Sequence, residues 1–256
     1  MMKKIKFKSK PIVCLTAYNK HSAELIDEYC DLVLVGDSLG MAYYGGSSTR
    51  FVTVSDIIRH AKSVRKGIKK SLMVVDMPFG SYKNAILAKK NAKKIINETG
   101  CDAIKLEGGF EIKNIIKSLV DDKINVMGHI GLLPQKVRSK KDYKVKGKKI
   151  SEKKKIIKDL KSIEEAGVFS VVLEAVKLDV AKEVIKERKT TVIGIGASKE
   201  CDGQILVLED ILGFFENVPK FVKKYMNFRR DAKKAVKRYK FEVKNKYFPN
   251  KKNLYI

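Results

Sequence analysis

The sequence predicts a (β/α)8 TIM barrel, and three observations carry that prediction. Short apolar runs rich in Val, Ile and Leu recur along the chain. They are continuous rather than alternating, as in parallel strands buried on both faces. Between them lie amphipathic stretches with apolar residues three and four positions apart, the helical spacing. The rhythm repeats seven or eight times in 256 residues, the count and length of a closed eight-unit barrel. A doubly wound open sheet is the alternative.

Candidate strands fall, in order, at residues 12–16, 32–35, 72–75, 103–106, 124–127, 170–173, 192–195 and 204–207. Candidate helices fall at 55–64, 84–96, 110–119, 151–166 and 178–185. Ser55 and Ser151 are candidate N-caps, because a short hydroxyl side chain can accept from the free N–H groups of a first turn. Gly67, Gly100 and Gly167 follow helical runs, where a left-handed C-terminal residue belongs. The GIGAS stretch at 194–198 is a poor dinucleotide fingerprint, since a third glycine and a following acidic partner are missing. It reads as a loop of close backbone approach, with anion binding open. The expected layout is one barrel domain with a basic helical extension from about residue 226.

The chain holds 55 Lys and Arg against 29 Asp and Glu, a formal net charge of +26. Eight of the cations are arginine and the other 47 are lysine. They spread over nearly every predicted helix without interleaved aromatics. Specific nucleic-acid readers concentrate cations on one patch and favour arginine. The charge therefore reads as a solvated lysine coat, and no nucleic-acid partner is expected. No apolar run approaches the ~18 residues of a membrane span, and the lysine-rich first ten residues do not resemble a secretory signal. Cys14, Cys30, Cys101 and Cys201 share no CxxC spacing, so reduced thiols in the cytoplasm are expected.

The informative pattern lies at the strand ends. Polar residues follow the apolar runs at Asp37 with Ser38, Asp76, Lys105 with Glu107, His129, and Glu174. In a barrel these ends converge on one mouth, where catalytic residues sit. Asp37, Asp76 and Glu107 are hard oxygen donors, a set that suits Mg²⁺. Lys105 offers a cation for a substrate carboxylate, and Glu174 is free for proton transfer. A divalent ion on an α-keto acid would favour loss of a proton from the neighbouring carbon. Lys105 as a Schiff-base lysine is the competing reading; three nearby carboxylates, which keep an amine charged, weigh against it.

LTAYN at 15–19, VGDSLGM at 35–41, DMPFGSY at 76–82, KLEGG at 105–109, GHIGLLPQ at 128–135, YKVKGK at 143–148, LEAV at 173–176 and CDGQILVLEDILG at 201–213 keep their order through most of the chain. On these motifs the chain resembles the ketopantoate hydroxymethyltransferase family. It implies a barrel of the phosphoenolpyruvate/pyruvate superfamily type. It also implies Mg-dependent transfer of a hydroxymethyl group from 5,10-methylenetetrahydrofolate, as co-substrate, to 3-methyl-2-oxobutanoate. Carried over by motif, Asp37, Asp76 and Glu107 are the metal ligands and Glu174 the acid/base residue. Asp37, Ser38, Asp76, Lys105 and His129 bind substrate. A homodecamer is implied as well. Departures from the usual motifs are Asn19 for Asp, Leu133 for Thr, Lys146 for Gln and Ser198 for Gly; they leave the metal ligands and Glu174 in place. A superfamily relative that cleaves or hydrolyses another α-keto or 2-hydroxy acid without folate is the alternative.

Overall fold

A computed structural model describes residues 5, 7, 11–139 and 142–255. Eight parallel strands close on themselves in chain order. They are β1 (Ile12–Thr16), β2 (Leu32–Val35), β3 (Leu72–Asp76), β4 (Ala103–Glu107), β5 (Val126–Gly131), β6 (Ser170–Glu174), β7 (Thr191–Ile195) and β8 (Gly203–Leu206). β8 closes the ring on β1 through Ile12↔Gly203 and Cys14↔Ile205. The intervening helices include α1 (Lys20–Ile26), α2 (Leu39–Ala42), α3 (Val54–Arg65), α4 (Ala85–Thr99), α5 (Lys113–Asp121), α6 (Ile150–Glu165) and α7 (Leu178–Glu187). The expected closed barrel is therefore the observed one.

Strand parity positions the site. The barrel interior is filled by Ile12, Cys14, Leu32, Leu34, Val74, Ala103, Met127, Val172, Ile193 and Ile205. Side chains two apart on a strand share a face. Continuing the inward row from Val74 gives Asp76; from Ala103, Lys105 and then Glu107; from Met127, His129; from Val172, Glu174. The residues that make the core in the lower layers are thus succeeded, at the C-terminal ends, by the polar cluster. The alternate residues Val33, Met73, Ile104, Val171 and Val192 face outward and are buried.

The opposite rim uses acids differently. Asp31, just before β2, accepts from the Val13 N–H of β1 at 2.9 Å. Asp102, just before β4, accepts from Met73 of β3 at 2.8 Å. Asp202, just before β8, accepts from Val192 of β7 at 2.9 Å and pairs with both forks of Arg188. Each acid closes the start of the preceding strand. Asp27 ties the loop before β3 by accepting from the N–H groups of Lys69, Lys70 and Ser71.

Four local expectations need correction. The cap of α3 is Thr53, in a capping box with Asp56, and Ser55 lies inside the helix. The residue before α6 is Lys149, and Ser151 is likewise internal. In both cases the chain turns helical before the serine, so its side chain no longer faces the free N–H groups. Gly100 and Gly167 are left-handed (φ +65° and +95°), but Gly67 is not among the positive-φ residues. Gly67 serves close packing instead: a Cβ there would lie 2.5 Å from the Lys20 carbonyl and 2.8 Å from the Ala23 Cβ. The apolar run at 124–127 marks β5 two residues early, because Gly128 and His129 interrupt it and yet are strand. Asn19, one of the departures, caps α1 by accepting from the Ser22 N–H at 2.9 Å.

Residues 207–256 form a second compact unit. It contains α8 (Leu208–Ile211) and the basic helix α9 (Phe228–Lys244), capped by Asn227. Phe214 and Phe228 stack within it, ring centroids 3.9 Å apart. The four cysteines are free and buried. Among the described residues no helix is long and apolar enough to cross a membrane.

Candidate active site

The mouth gathers Asp37, Asp76, Lys105, Glu107 and His129, each no more than 4% exposed. The Lys105 ammonium donates to Asp76 Oδ1 at 2.5 Å, and the other Asp76 oxygen accepts from the Asp37 N–H at 3.0 Å. His129 lies between two carboxylates, with Nδ1 3.5 Å from Glu107 and Nε2 3.2 Å from Glu174. Neither ring nitrogen has a well-aligned hydrogen bond, so these links are ionic contacts. Glu174 is 14% exposed and stands at the rim. Ser38 Oγ shares a 2.7 Å hydrogen bond with the Tyr18 hydroxyl.

Burial and crowding set the charges. Burial, then the negative neighbours Asp76 and Glu107, push the Asp37 carboxyl well above the ordinary range. Burial opposes charge on Lys105, yet Asp76, Glu107 and Asp37 outweigh it and hold the amine above its usual value. That is the reverse of what imine formation needs. Burial would also raise Glu107, but His129, Lys105 and the Gln135 N–H outweigh it and keep it low. Burial disfavours the imidazolium, but Glu107 and Glu174 prevail and His129 is pushed up to about 9. The cluster is thus two cations threaded between acids.

The approach to Glu174 is shaped by the segment before α6. The Lys146 N–H donates to the Ala175 carbonyl at 2.8 Å, and Lys177 donates back to Lys146 at 3.0 Å. Ala175, directly after Glu174, is left-handed at φ +47°. A non-glycine residue in that region persists only where its surroundings fix it, and these bonds do so. Tyr143, half-buried, reaches Met41 Sδ at 3.4 Å and feels the acids of the mouth. Beside it a cavity of about 250 Å³ is lined by Leu132, Leu133, Lys136, Lys146, Glu152 and Lys155, among others. Two of the four departures, Leu133 and Lys146, thus face one space. Ser198 accepts from the Glu200 N–H at 3.1 Å in the turn after β7. The GIGAS loop is one of close approach: a Cβ on Gly194 would sit 2.9 Å from Cys201 Sγ.

Sequence reasoning missed Gln135, 3% exposed. Its main-chain N–H donates to Glu107 Oε2 at 2.9 Å and its amide to Asp37 Oδ2 at 2.8 Å. Tyr82 and Arg50, also missed, touch it from two sides. The only signal was its place at the end of GHIGLLPQ.

Among the described residues no three Asp, Glu, His or Cys side chains are arranged as a ready metal cage. Asp76 is turned to Lys105, and Asp37 and Glu107 each give one oxygen to Gln135. The donors available for a cation are nevertheless all carboxylate oxygens, and Asp37 is destabilised by the acids beside it, a strain that a divalent cation relieves.

A closed parallel barrel with buried acids, a lysine and a histidine at its C-terminal mouth defines the chain as a (β/α)8-barrel enzyme. The solved structures of phosphonopyruvate hydrolase (TM-score 0.63, 12% identity, 96% of this chain and 87% of that one) and of 2,3-dimethylmalate lyase share this fold (TM-score 0.59, 14% identity, 96% and 84%). The latter is described as a member of the PEP mutase/isocitrate lyase superfamily. The sequence profile of ketopantoate hydroxymethyltransferase matches residues 1–251. Proteins named 3-methyl-2-oxobutanoate hydroxymethyltransferase are 53% identical in Pelagibacter ubique (98% of this chain, 97% of the relative) and 48% identical in Sulfurimonas denitrificans (93% and 91%). The chain belongs to the ketopantoate hydroxymethyltransferase family, and it is a one-carbon transferase.

Proposed function

We propose that the enzyme transfers a hydroxymethyl group from 5,10-methylenetetrahydrofolate to 3-methyl-2-oxobutanoate, giving 2-dehydropantoate, with Mg²⁺ bound at the mouth. The observation that carries the reading is the buried Asp37–Asp76–Lys105–Glu107 cluster on the barrel axis of a chain in this family. Asp37, Asp76 and Glu107 would hold the ion, and their all-oxygen chemistry and mutual repulsion fit a hard divalent cation. When bound, Mg²⁺ supplies positive charge that acidifies the carbon next to the keto group.

The chain's own residues do the rest. The Lys105 ammonium, kept charged by its acids, holds the substrate carboxylate. His129, held between Glu107 and Glu174, lines the pocket. Ser38, anchored by Tyr18, offers a hydroxyl at the rim. Glu174, at the solvent edge, moves a proton at the substrate C3 or at the folate nitrogen. The cavity beside the 142–149 segment, lined by Leu132, Leu133 and Lys146 among others, offers room for the one-carbon donor. The four buried thiols fit a reducing cytoplasm, and the family resemblance supports a homodecamer, which light scattering measures.

The test is twofold. Product should form from 3-methyl-2-oxobutanoate only with both methylenetetrahydrofolate and Mg²⁺. The C3 proton should exchange with deuterated solvent in the presence of Mg²⁺. A folded Glu174→Gln variant that keeps full turnover would falsify its role.

A further inference from the structure

Gln135 occupies a single turn of 3-10 helix (Pro134–Lys136) just after β5, and it joins four elements of the mouth. Its amide nitrogen donates to Asp37 Oδ2, beyond the end of β2, at 2.8 Å and to the Met77 carbonyl, after β3, at 3.0 Å. Its main-chain N–H donates to Glu107 Oε2, at the end of β4, at 2.9 Å. Its amide oxygen accepts from the Tyr82 hydroxyl at 2.5 Å, and the same hydroxyl lies 3.3 Å from the Glu107 carbonyl. The Arg50 guanidinium donates to the Gln135 carbonyl at 2.7 Å and stacks on the Phe79 ring at 3.6 Å.

This pattern fixes the sense of the amide. A flipped amide would set its oxygen against a carboxylate and a carbonyl, two pure acceptors with no proton to share, whereas the Tyr82 hydroxyl suits either sense. Two acids that have to face the barrel axis are therefore each held by one oxygen from outside, leaving the orientation of the other determined. Nothing in the strand ladder needs these bonds, since β2 and β4 are paired along their length without them.

We infer that Gln135 is a positioning residue: it clamps Asp37 and Glu107 in the one pair of rotamers that presents both to a divalent cation, and Tyr82 acts through it by orienting its amide. The inference rests on the proposed metal reading. Groups that orient ligands from behind typically contribute 10- to 100-fold in metal affinity.

The test measures Mn²⁺ as the probe, titrated into the full chain and read as free Mn²⁺ by electron paramagnetic resonance, with far-UV circular dichroism to verify folding. Gln135→Met removes the amide and keeps the main-chain donor to Glu107. It should weaken Mn²⁺ binding by at least about tenfold. Tyr82→Phe should weaken it by a smaller factor. The double variant should match Gln135→Met within about twofold, as expected when one residue acts through the other. A merely structural role would lower the melting temperature without this pattern. Binding by Gln135→Met within twofold of the unmodified chain overturns the inference, and so does a double variant whose loss is the product of the single ones. If Gln135→Met does not fold, Tyr82→Phe decides: unchanged Mn²⁺ affinity overturns the inference, and a several-fold loss supports it. If the unmodified chain binds no Mn²⁺, the metal reading itself fails and takes this inference with it.

Discussion

Replacing Asp27 by Asn isolates the role of one acid at the closed rim. Asp27 is 6% exposed, and its two oxygens share the N–H groups of Lys69, Lys70 and Ser71 at 2.8–3.1 Å. An asparagine presents one oxygen and one NH2, so in either sense the NH2 faces backbone donors. About two charge-assisted bonds are lost, at roughly 1.5–3 kcal/mol each, an expected cost of about 3–6 kcal/mol. For a chain of this size that lowers the melting temperature by roughly 6–24 °C. Burial works against the ionised acid, but its backbone donors prevail and hold its pKa below the ordinary value. A carboxylate lowered on folding stabilises fully above the unfolded pKa, about 3.9, and loses that contribution as pH falls through the folded value. The gap between the two proteins, followed by differential scanning fluorimetry at one scan rate, should therefore be widest at pH 6–7 and narrow below about pH 4. A variant melting within 2 °C of the original at pH 7, or a gap that widens on acidification, would refute the reasoning.

Other outcomes follow from the same geometry. Gly109→Ala places a Cβ 2.1 Å from the Asp159 Cγ, and Asp159 also accepts from the Phe110 N–H at 3.0 Å. The substitution should cost about 1–3 kcal/mol in urea unfolding and slow turnover, because this loop follows Glu107 directly. Lys105→Met leaves Asp76 and its neighbours without their cation, at a cost of about 3–5 kcal/mol. Calorimetry should show 3-methyl-2-oxobutanoate binding lost. The four thiols should resist iodoacetamide at pH 8 in the folded protein and all react in guanidinium. Burial pushes Cys30 and Cys101 up to about 11, so little thiolate exists to attack. Mass spectrometry counts the adducts, and two or more in the folded protein would contradict this.

The barrel was legible because its strands are continuous apolar runs, and runs are local. The mouth was legible because inward parity carries one strand face from Ala103 to Lys105 and Glu107. What the sequence did not disclose depends on distance along the chain. Gln135 meets Asp37 across 98 positions and Tyr82 across 53, and no local pattern encodes such meetings. Cap positions slipped for a different reason: Thr53 and Ser55 are both acceptable caps, and only the backbone decides between them. The 3-10 turn Phe110–Ile112 carries the same apolar spacing as the helix that follows it, so sequence alone does not separate the two.

The acids before β2, β4 and β8 hold the closed rim, while those at the C-terminal ends of β2, β3 and β4 gather at the mouth. Robustness and chemistry are thereby assigned to opposite ends of the same strands. An engineer can graft a tether or stiffen a loop at the closed rim and leave the reacting end untouched. Directed evolution has the converse freedom to vary the loops of the mouth on a foundation anchored elsewhere.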